Sequence, residues 1–484
     1  MLKRPASATE PTAPRVTCSR PVPPAARLCP EIRSPRESDH RPTSRRPRVP
    51  PHGRGIGTLA AVALLIGVSA CDVTRPPGAV GCQRYVDPLT TEFAAVPERP
   101  LSGAFGEVLT LSPQMTFTGA LQRALTAPER QGDRSIDILA LSGGGQWGAF
   151  GAGFLNGWSR ADAAARSRVE RNEIDIVTGI STGAIMSSYA FLGSAWDERL
   201  SEVYLGSGPE GPDGIRENPV SDAVLFERHG LLTTFFSNAA TDPRGGLDTR
   251  VRQAVAELVA DIAATGEARQ LFVGAVSLND GAFKIFSLKP LAQDIARARQ
   301  QGRVEEADSL EACYAEMLLA SAAVPFLFPP RFIDSQAYVD GGARFGAFIR
   351  SVDLLSARLT EVQRPTEGNI FVVVNGDLSV RGVSEIDNST LGVSLRSVEA
   401  IIDQINRDSI FRIENDAANG ETISWKTQYV FATDRTCREA HLDAAEAGDN
   451  EFDPHFMKCL YDLGLSAGEE QRWRPYLYVP HFQE

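Results

Sequence analysis

The chain has 484 residues, and 43% of them are hydrophobic, which is enough to bury one large core or two smaller ones. It carries 49 Lys and Arg against 61 Asp and Glu, a formal net charge of −12. Residues 1–70 hold twelve Lys and Arg but only four Asp and Glu, so the chain after Ala70 has a formal charge of about −20. Such an acidic body argues against nucleic-acid binding and against adhesion to anionic membranes by charge.

The N-terminus has the composition of a disordered segment followed by an export signal. Residues 1–54 are rich in Pro, Arg and Ser, and we predict that they are disordered. Residues 55–70 contain the apolar run Ile56–Ala70, which follows several arginines. The run is short for a membrane span but typical of a signal peptide. A start codon assigned too far upstream would explain the long stretch before it. The alternative is an uncleaved anchor or a buried helix.

The apolar run ends in Val68-Ser69-Ala70-Cys71, which looks like a bacterial lipobox. This pattern predicts cleavage before Cys71 and a lipid on its sulfur. The protein would then be anchored by lipid to a membrane of the bacterial cell envelope and would face the periplasm. Residues 71–105 are predicted to be the tether that joins this anchor to the folded domain.

A glycine-rich loop follows the first apolar strand candidate. The candidate Ile136–Leu141 precedes Ser142-Gly143-Gly144-Gly145-Gln146-Trp147-Gly148, and a helical run, Ala149–Ala165, comes next. Three glycines between a strand and a helix expose backbone N–H groups, which can bind a phosphate or stabilise an oxyanion. Phosphate binding is the weaker interpretation, because the lysine of a G-x-x-x-x-G-K-[ST] loop is missing.

A second strand candidate, Ile174–Ile180, leads into Gly179-Ile180-Ser181-Thr182-Gly183 and then a helix-forming stretch. A serine in a tight strand-to-helix turn has a strained backbone and a projecting hydroxyl. The flanking glycines keep side chains out of that corner. In a right-handed βαβ unit this loop and the glycine loop open at the same end of the sheet, which suits acyl transfer. The alternative is an ordinary Gly/Ser turn.

The third motif is Tyr338-Val339-Asp340-Gly341-Gly342, preceded by Leu319–Pro330, which reads LASAAVPFLFPP. In this order the three motifs resemble those of bacterial patatin-like phospholipases, over about Ile136–Asp377. The resemblance implies an α/β fold, a three-layer sandwich with a mainly parallel central sheet and a nucleophile elbow between strand and helix. It makes Ser181 the nucleophile and Asp340 its dyad partner. It also implies an oxyanion hole formed by Gly143, Gly144 and Gly145. The glycines of the elbow and the other motifs are Gly148, Gly179, Gly183 and Gly341.

The sequence departs from the family pattern at Trp147, where the family often has Arg or Lys. A neutral side chain there favours an uncharged substrate. We place the patatin-like catalytic domain at residues 106–432 and a C-terminal extension packed on it at 433–484. Residues 200–247 are interpreted as an insertion that could cap the pocket. Its apolar candidates for an acyl-chain wall are Phe226, Leu231, Leu232, Phe235 and Phe236.

The remaining periodicity predicts further elements of the domain. They are helices at Leu247–Ala264, Ala307–Ala323 and Leu391–Ile413, paired strands at Leu271–Leu278 and Ala282–Leu288, and strands at Ile370–Val374 and Ser424–Ala432. Among the cysteines, Cys437 and Cys459 are the first candidates for a disulfide, because export permits one. A Cys/His metal site with His441 and His455 is the alternative. Cys313 is interpreted as a core residue. We predict no metal and no cofactor, because calcium-loop and zinc-site spacings are missing.

The histidines decide between a dyad and a triad. A triad would need His441, His455 or His481 after Asp340, and none lies in a distinctive loop. A dyad needs Asp340 as general base, with a pKa raised by burial. We therefore predict a serine lipid acyl hydrolase of phospholipase A or esterase type, acting on phospholipid or another acyl ester through an acyl-enzyme. The alternatives are a lipoprotein that binds lipid without turnover and a Ser-Asp-His esterase of α/β-hydrolase type.

Overall fold

The sheet and its helices are seen in a computed structural model that describes residues 78–87, 123–124, 127, 135–164, 169–229, 239–349, 365–376, 390–420, 423–432, 437 and 451–475. All of them belong to one unit, Cys71–Glu484. The predicted disordered segment, the signal peptide and Cys71 lie outside the described residues. Within the described part, no helix combines the length and the apolar character that a membrane crossing requires.

A nine-stranded sheet forms the centre of the fold. Its strand order is β1-β9-β8-β3-β2-β12-β13, with β11 paired to β8 and β10 paired to β11. The pairs from β8 through β3, β2 and β12 to β13 are parallel, and the pairs that involve β1, β9, β10 and β11 are antiparallel. The strands of this sheet are β1 Val86–Asp87, β2 Asp137–Leu141, β3 Ile176–Gly179, β8 Gln270–Ser277, β9 Phe283–Ser287, β10 Arg331–Ile333, β11 Gln336–Asp340, β12 Glu367–Val374 and β13 Ser424–Phe431.

The other described elements are two small hairpins, nine α-helices and five short 3-10 helices. The hairpins pair β4 Ser207–Glu210 with β5 Arg216–Asn218, and β6 Glu227–Arg228 with β7 Thr241–Asp242. The helices are α1 Gly148–Ala163, α2 Thr182–Leu192, α3 Asp197–Leu205, α4 Asp222–Leu225, α5 Leu247–Ala264, α6 Leu288–Gln300, α7 Val304–Ser321, α8 Thr390–Ala418 and α9 Pro454–Glu469.

Both faces of the central strands β2, β3 and β8 are buried, which is why these strands are largely apolar rather than alternating. Leu139 and Val177 point into the core shared with helices α1, α2, α5, α6, α7 and α9. Ile138 and Ile176 point to the opposite face, where smaller clusters include Ile410 of α8. The fold is therefore a three-layer α/β sandwich with a mainly parallel sheet, as predicted.

The predicted elements agree with the structure to within a few residues. Leu247–Ala264 is α5, and the strands predicted at Leu271–Leu278 and Ala282–Leu288 are β8 and β9. The helix predicted at Leu391–Ile413 is α8, which runs on to Ala418. Long apolar runs between turn residues therefore located most of the layered core.

The predicted tether is part of the domain over its described residues. We call residues 78–87 the N-terminal strap. Strand β1 lies in the strap and pairs with β9. The Asp334 carboxylate accepts the N–H groups of Gly81 and Gln83, both at 2.6 Å. The buried Tyr85 hydroxyl donates to Asp294 at 2.6 Å. Composition alone suggested a free linker here, because these long-range partners leave no periodic pattern in the sequence.

Four of the cysteines form two disulfides. Cys437 is bonded to Cys459 of α9, so neither thiolate is available for the metal site considered above. Cys82 of the strap is bonded to Cys313 of α7. Cys313 is buried, as a core residue should be, but the interpretation as a simple core cysteine missed this bond. The two cysteines lie 231 residues apart, so spacing could not pair them.

Removing the Cys82–Cys313 bond is expected to lower the free energy of unfolding more than removing Cys437–Cys459. The bonds span 231 and 22 residues, and a disulfide restricts the unfolded chain more when its loop is longer. The chain-entropy argument gives about 5 kcal/mol for the long loop and about 3 kcal/mol for the short one. Urea unfolding of the double variants Cys82→Ser/Cys313→Ser and Cys437→Ser/Cys459→Ser measures both. Equal losses would contradict the loop-length argument.

Candidate active site

Two strands end against the same edge of β8. β3 runs parallel to β8, with Gly179 opposite Val273. β11 runs antiparallel to β8, with Asp340 opposite Ala275. The carboxyl ends of β3 and β11 therefore approach each other from opposite directions and meet beside Gly274. This register brings Ser181, two residues beyond β3, next to Asp340, although 158 positions separate them in the sequence.

Ser181 occupies the turn between β3 and α2. Its backbone angles are φ 53° and ψ −123°, a sparsely populated conformation that a nucleophile elbow requires. Its side chain is 7% exposed. Because α2 begins at Thr182, the positive end of the helix dipole lies beside the hydroxyl and favours negative charge there.

The four motif glycines are sites of close backbone approach. A Cβ at any of them would overlap a neighbouring atom, so glycine is required for packing rather than for flexibility. The overlapping atoms are Thr182 Oγ1 for Gly148, the Gly183 carbonyl for Gly179, the Leu141 carbonyl for Gly183 and the Gly274 carbonyl for Gly341. These glycines thereby hold the strands, the turn at Ser181 and the loop after Asp340 in close contact.

Asp340 is a buried carboxyl group with an unusual environment. Its side chain is 3% exposed, and its Oδ1 accepts the Gly342 N–H at 2.6 Å. Oδ2 is buried and has no hydrogen-bond partner of good geometry among the described residues. Burial raises the pKa of Asp340 from 3.8 to about 7, against the opposing effects of the nearby Ser181 hydroxyl and the Gly342 N–H. A carboxyl group with this pKa can exchange a proton near neutral pH.

Ser321, the last residue of α7, joins the two halves of the site. Its Oγ donates to the Gly274 carbonyl at 2.6 Å and accepts the Ser181 N–H at 3.1 Å. Two residues later, the Ala323 carbonyl accepts the Asp340 N–H at 2.8 Å. One end of α7 thus fixes the backbone of both Ser181 and Asp340. The sequence contained Ser321 in its Ala-Ser motif but gave no sign of this bridge.

The glycine loop lies against Ser181. A Cβ on Gly143 would be 3.2 Å from the Ser181 Cβ. The Gly143 N–H already donates to the Gly346 carbonyl at 3.0 Å, so the prediction that it serves as an oxyanion donor needs correction. No described residue accepts the N–H groups of Gly144 and Gly145, which have φ values of 151° and 54°. These two remain as candidate donors.

Asn375, just beyond β12, braces the glycine loop from one side. Its Nδ2 donates to the Ser142 carbonyl at 2.7 Å, and its N–H donates to the Ser142 Oγ at 2.8 Å. Its own carbonyl packs so closely on Gly144 that a Cβ there would overlap it. Replacing Gly144 would therefore disturb the fold as well as the loop. Sequence reasoning missed Asn375, because its role depends on the parallel register of β12 beside β2.

Trp147 is buried beneath the site rather than open to it. It is 5% exposed, and its ring meets that of Phe456 in α9 edge to face, with 5.4 Å between centroids. The next residue, Gly148, packs on Tyr204, which donates to the Thr182 carbonyl at 3.0 Å. Tyr204 was also missed, since it reaches the elbow from α3, outside every motif.

The described histidines take no part in the Ser181–Asp340 contact. His229 makes a hydrogen bond with the Ala239 carbonyl at 3.2 Å, and His455 lies exposed on α9. Among the described residues, neither histidine bonds to Ser181 or to Asp340. His441 and His481 lie outside the described residues. The described geometry is therefore that of a serine and a carboxylic acid, without an imidazole.

The candidates for an acyl-chain wall are only partly described. Phe226 is buried and packs on Phe328 and Phe452, with ring centroids 5.5 and 6.3 Å apart. Leu231, Leu232, Phe235 and Phe236 lie outside the described residues. A small cavity with about 10 Å³ of internal space adjoins Ala323, and its mostly apolar lining includes Leu319 and Phe328 together with the charged Asp248 and Arg331.

Asp340→Asn is expected to gain stability over the wild type as the pH rises. In the folded protein the carboxyl pKa is about 7 rather than 3.8. The contribution of this carboxyl group to the free energy of unfolding is therefore complete below pH 3.8 and is lost as the pH rises through 7. The amide cannot ionise. Urea unfolding at pH 5 and pH 8 should therefore show the variant gaining on the wild type by a few kcal/mol, since one pKa unit corresponds to about 1.4 kcal/mol. A difference independent of pH would mean that Asp340 ionises normally.

Comparisons with known proteins give a family match over part of the chain. Residues 139–353 match the family model of the patatin-like phospholipases. No curated protein sequence matches the chain. Among solved structures, VipD from Legionella pneumophila is matched with a TM-score of 0.23 and 11% identity over 68% of this chain and 67% of that chain, too weak a similarity to carry an argument. The family match contains the glycine loop, Ser181 and Asp340. Over residues 139–353 the chain is therefore similar to the patatin-like phospholipases.

Proposed function

We propose that this protein is a serine lipid acyl hydrolase in which Ser181 is the nucleophile and Asp340 the general base. The family assignment supports a lipid hydrolase in general. The observation that supports the dyad is the meeting of Ser181 and a buried carboxyl group of pKa about 7 at the edge of β8. A carboxylate with an ordinary pKa would be too weak a base for a serine hydroxyl.

In the first half-reaction the Ser181 Oγ attacks the ester carbonyl carbon, and its proton passes to Asp340. The carbonyl electrons move onto oxygen, and the N–H groups of Gly144 and Gly145 stabilise the resulting oxyanion. The tetrahedral intermediate then collapses. The alcohol leaves with the proton from Asp340, and the acyl group remains esterified to Ser181.

In the second half-reaction water attacks the acyl-enzyme and transfers a proton to Asp340. The new oxyanion uses the same two N–H groups. When this intermediate collapses, Ser181 leaves and recovers the proton, and the fatty acid is released. The substrate class is phospholipid or another acyl ester. The buried Trp147 offers no cation to a head group, which is consistent with an uncharged substrate.

Ser181→Ala and Asp340→Asn should each reduce ester hydrolysis by about 10⁴-fold or more, and the double variant should be little worse, because the two residues act as one unit. The assay is fatty-acid release from a lipid panel, with circular dichroism as a check on folding. His229→Ala, His441→Ala, His455→Ala and His481→Ala are the matched controls and should keep most activity.

A histidine variant as inactive as Ser181→Ala would establish a triad instead of the dyad. A fluorophosphonate probe separates the remaining alternative, because only an activated serine reacts with it. A well-folded wild type that binds lipid vesicles but neither reacts with the probe nor releases fatty acid would be a lipid-binding lipoprotein.

We also propose that the mature chain is anchored to the bacterial cell envelope through a lipid on Cys71. The support is the arginine-flanked apolar run that ends in Val68-Ser69-Ala70-Cys71, together with two disulfides, which form in oxidising compartments. Several acyl chains on one cysteine would hold the protein stably on a membrane.

In an exporting bacterial host, Cys71→Ser should leave a larger, unlipidated precursor, while the wild type should begin at a lipid-modified Cys71. Mass spectrometry of the membrane fraction distinguishes the two. An unmodified Cys71 within an intact N-terminus would contradict the anchor. The fragment that starts at Asp72 should stay active without lipid, since it retains the strap and the site.

A further inference from the structure

The C-terminal helix α9 lies outside the family match, which ends at residue 353, yet it packs directly on the helix that follows the glycine loop. Two glycines of α1 and two of α9 form the contact. A Cβ on any of them would overlap the backbone of the other helix. The four are Gly153 and Gly157 of α1, and Gly464 and Gly468 of α9. With backbones this close, α9 has one well-defined position along α1.

The first turn of α9 reaches the glycine loop. The Asp453 N–H donates to the Gln146 Oε1 at 3.1 Å. The Asp453 carboxylate caps the helix by accepting the Phe456 N–H at 2.8 Å. That places the Phe456 ring edge to face with Trp147, at 5.4 Å between centroids. An aromatic pair of this geometry is stabilising beyond the area it buries.

Further contacts fix the start of α9. The Asp222 carboxylate accepts the N–H groups of Phe452 at 2.7 Å and Glu451 at 3.2 Å. The Cys437–Cys459 disulfide closes on the first turns of the helix. Phe456 is therefore held by surroundings that do not depend on Trp147, so the contact can set the position of the tryptophan.

Gln146 and Trp147 directly follow the two candidate oxyanion donors. The turn is tight, with the Trp147 N–H donating to the Gly144 carbonyl at 3.0 Å. A shift of Trp147 would therefore rotate the peptide units of Gly144 and Gly145. Asn375 braces the loop on the opposite side through Ser142. The donors lie between these two braces.

We propose that Phe456 and Asp453 of α9 are positioning residues that hold the Gly144 and Gly145 N–H groups in line with the oxyanion. This inference rests on the proposed function, because it concerns a transition-state contact. It makes a segment outside the family match part of the support of the active site. Neither residue touches the reacting atoms, so the effect would pass through Gln146 and Trp147.

Phe456→Ala should lower kcat about 10²-fold with little change in KM, since a misplacement of about 1 Å at a reacting centre can cost that much. Phe456→Tyr keeps the ring and should restore most of the rate. Leu463→Ala is the matched control. It lies two turns further along α9, is half-buried against the same core and should lose comparable stability while keeping wild-type kcat. Fatty-acid release, measured below the melting temperature of every variant, is the assay.

A second variant covers the case in which Phe456→Ala fails to fold. Gln146→Ala removes the acceptor of the Asp453 N–H from a half-buried position and should lower kcat in the same way. Gly145→Ala supplies a double-mutant cycle, because a Cβ there meets no atom within 4 Å and the change strains only the backbone of the loop, where φ is 54°. If both changes act on one loop, the fold-loss of kcat in the double variant Phe456→Ala/Gly145→Ala should be smaller than the product of the two single losses.

Two results would overturn the inference. One is a kcat for both Phe456→Ala and Gln146→Ala equal to that of Leu463→Ala. In that case α9 contributes stability alone, and the proposed dyad is unaffected. The other is a folded wild type that hydrolyses no ester and does not react with a fluorophosphonate, which would overturn the proposed function together with this inference.

Discussion

The candidate active site depends on one edge of β8, where a parallel strand and an antiparallel strand end opposite nearby residues. Because β3 stops at Gly179 and β11 stops at Asp340, Gly274 lies between the two ends. Two contacts near this point join the halves. Ser321 bonds to the Gly274 carbonyl, and Gly341 packs on that same carbonyl. The sheet register, more than any single side chain, brings a serine and a carboxyl group together.

This arrangement also explains the electrostatics. Asp340 lies between sheet and helices, where water cannot stabilise its charge, and only one of its oxygens has a full hydrogen bond among the described residues. The raised pKa follows from that burial. The glycine loop has the opposite character, because the N–H groups of Gly144 and Gly145, which no described residue accepts, favour negative charge. A carboxylate that burial destabilises thus lies beside N–H groups that favour an anion, and this combination suits proton removal from Ser181.

The sequence was informative where structure is local. Apolar runs followed by glycine loops located β2, α1, β3 and α2 to within about two residues, and motif order indicated that Ser181 and Asp340 belong to one site. The sequence did not predict contacts between segments that are distant in the chain. The Cys82–Cys313 bond, the Ser321 bridge and the Asn375 brace each join segments that lie far apart in the chain. The correction at Gly143 has the same origin, since its N–H is taken by Gly346. Periodicity reports which face a residue occupies, but it does not name the partner.

The β10–β11 hairpin adjoins the sheet through only a short stretch of β8, Ala275–Ser277. The N-terminal strap holds its far end, where Ala79 bridges to Ile333 and Asp334 receives two strap N–H groups. Local opening of this hairpin would withdraw Asp340 while the parallel strands stay folded. The time for which the protein keeps its activity on heating would then depend on the stability of the β10–β11 hairpin rather than on that of the whole domain. Amide exchange in β11, compared with β2, reports that opening directly.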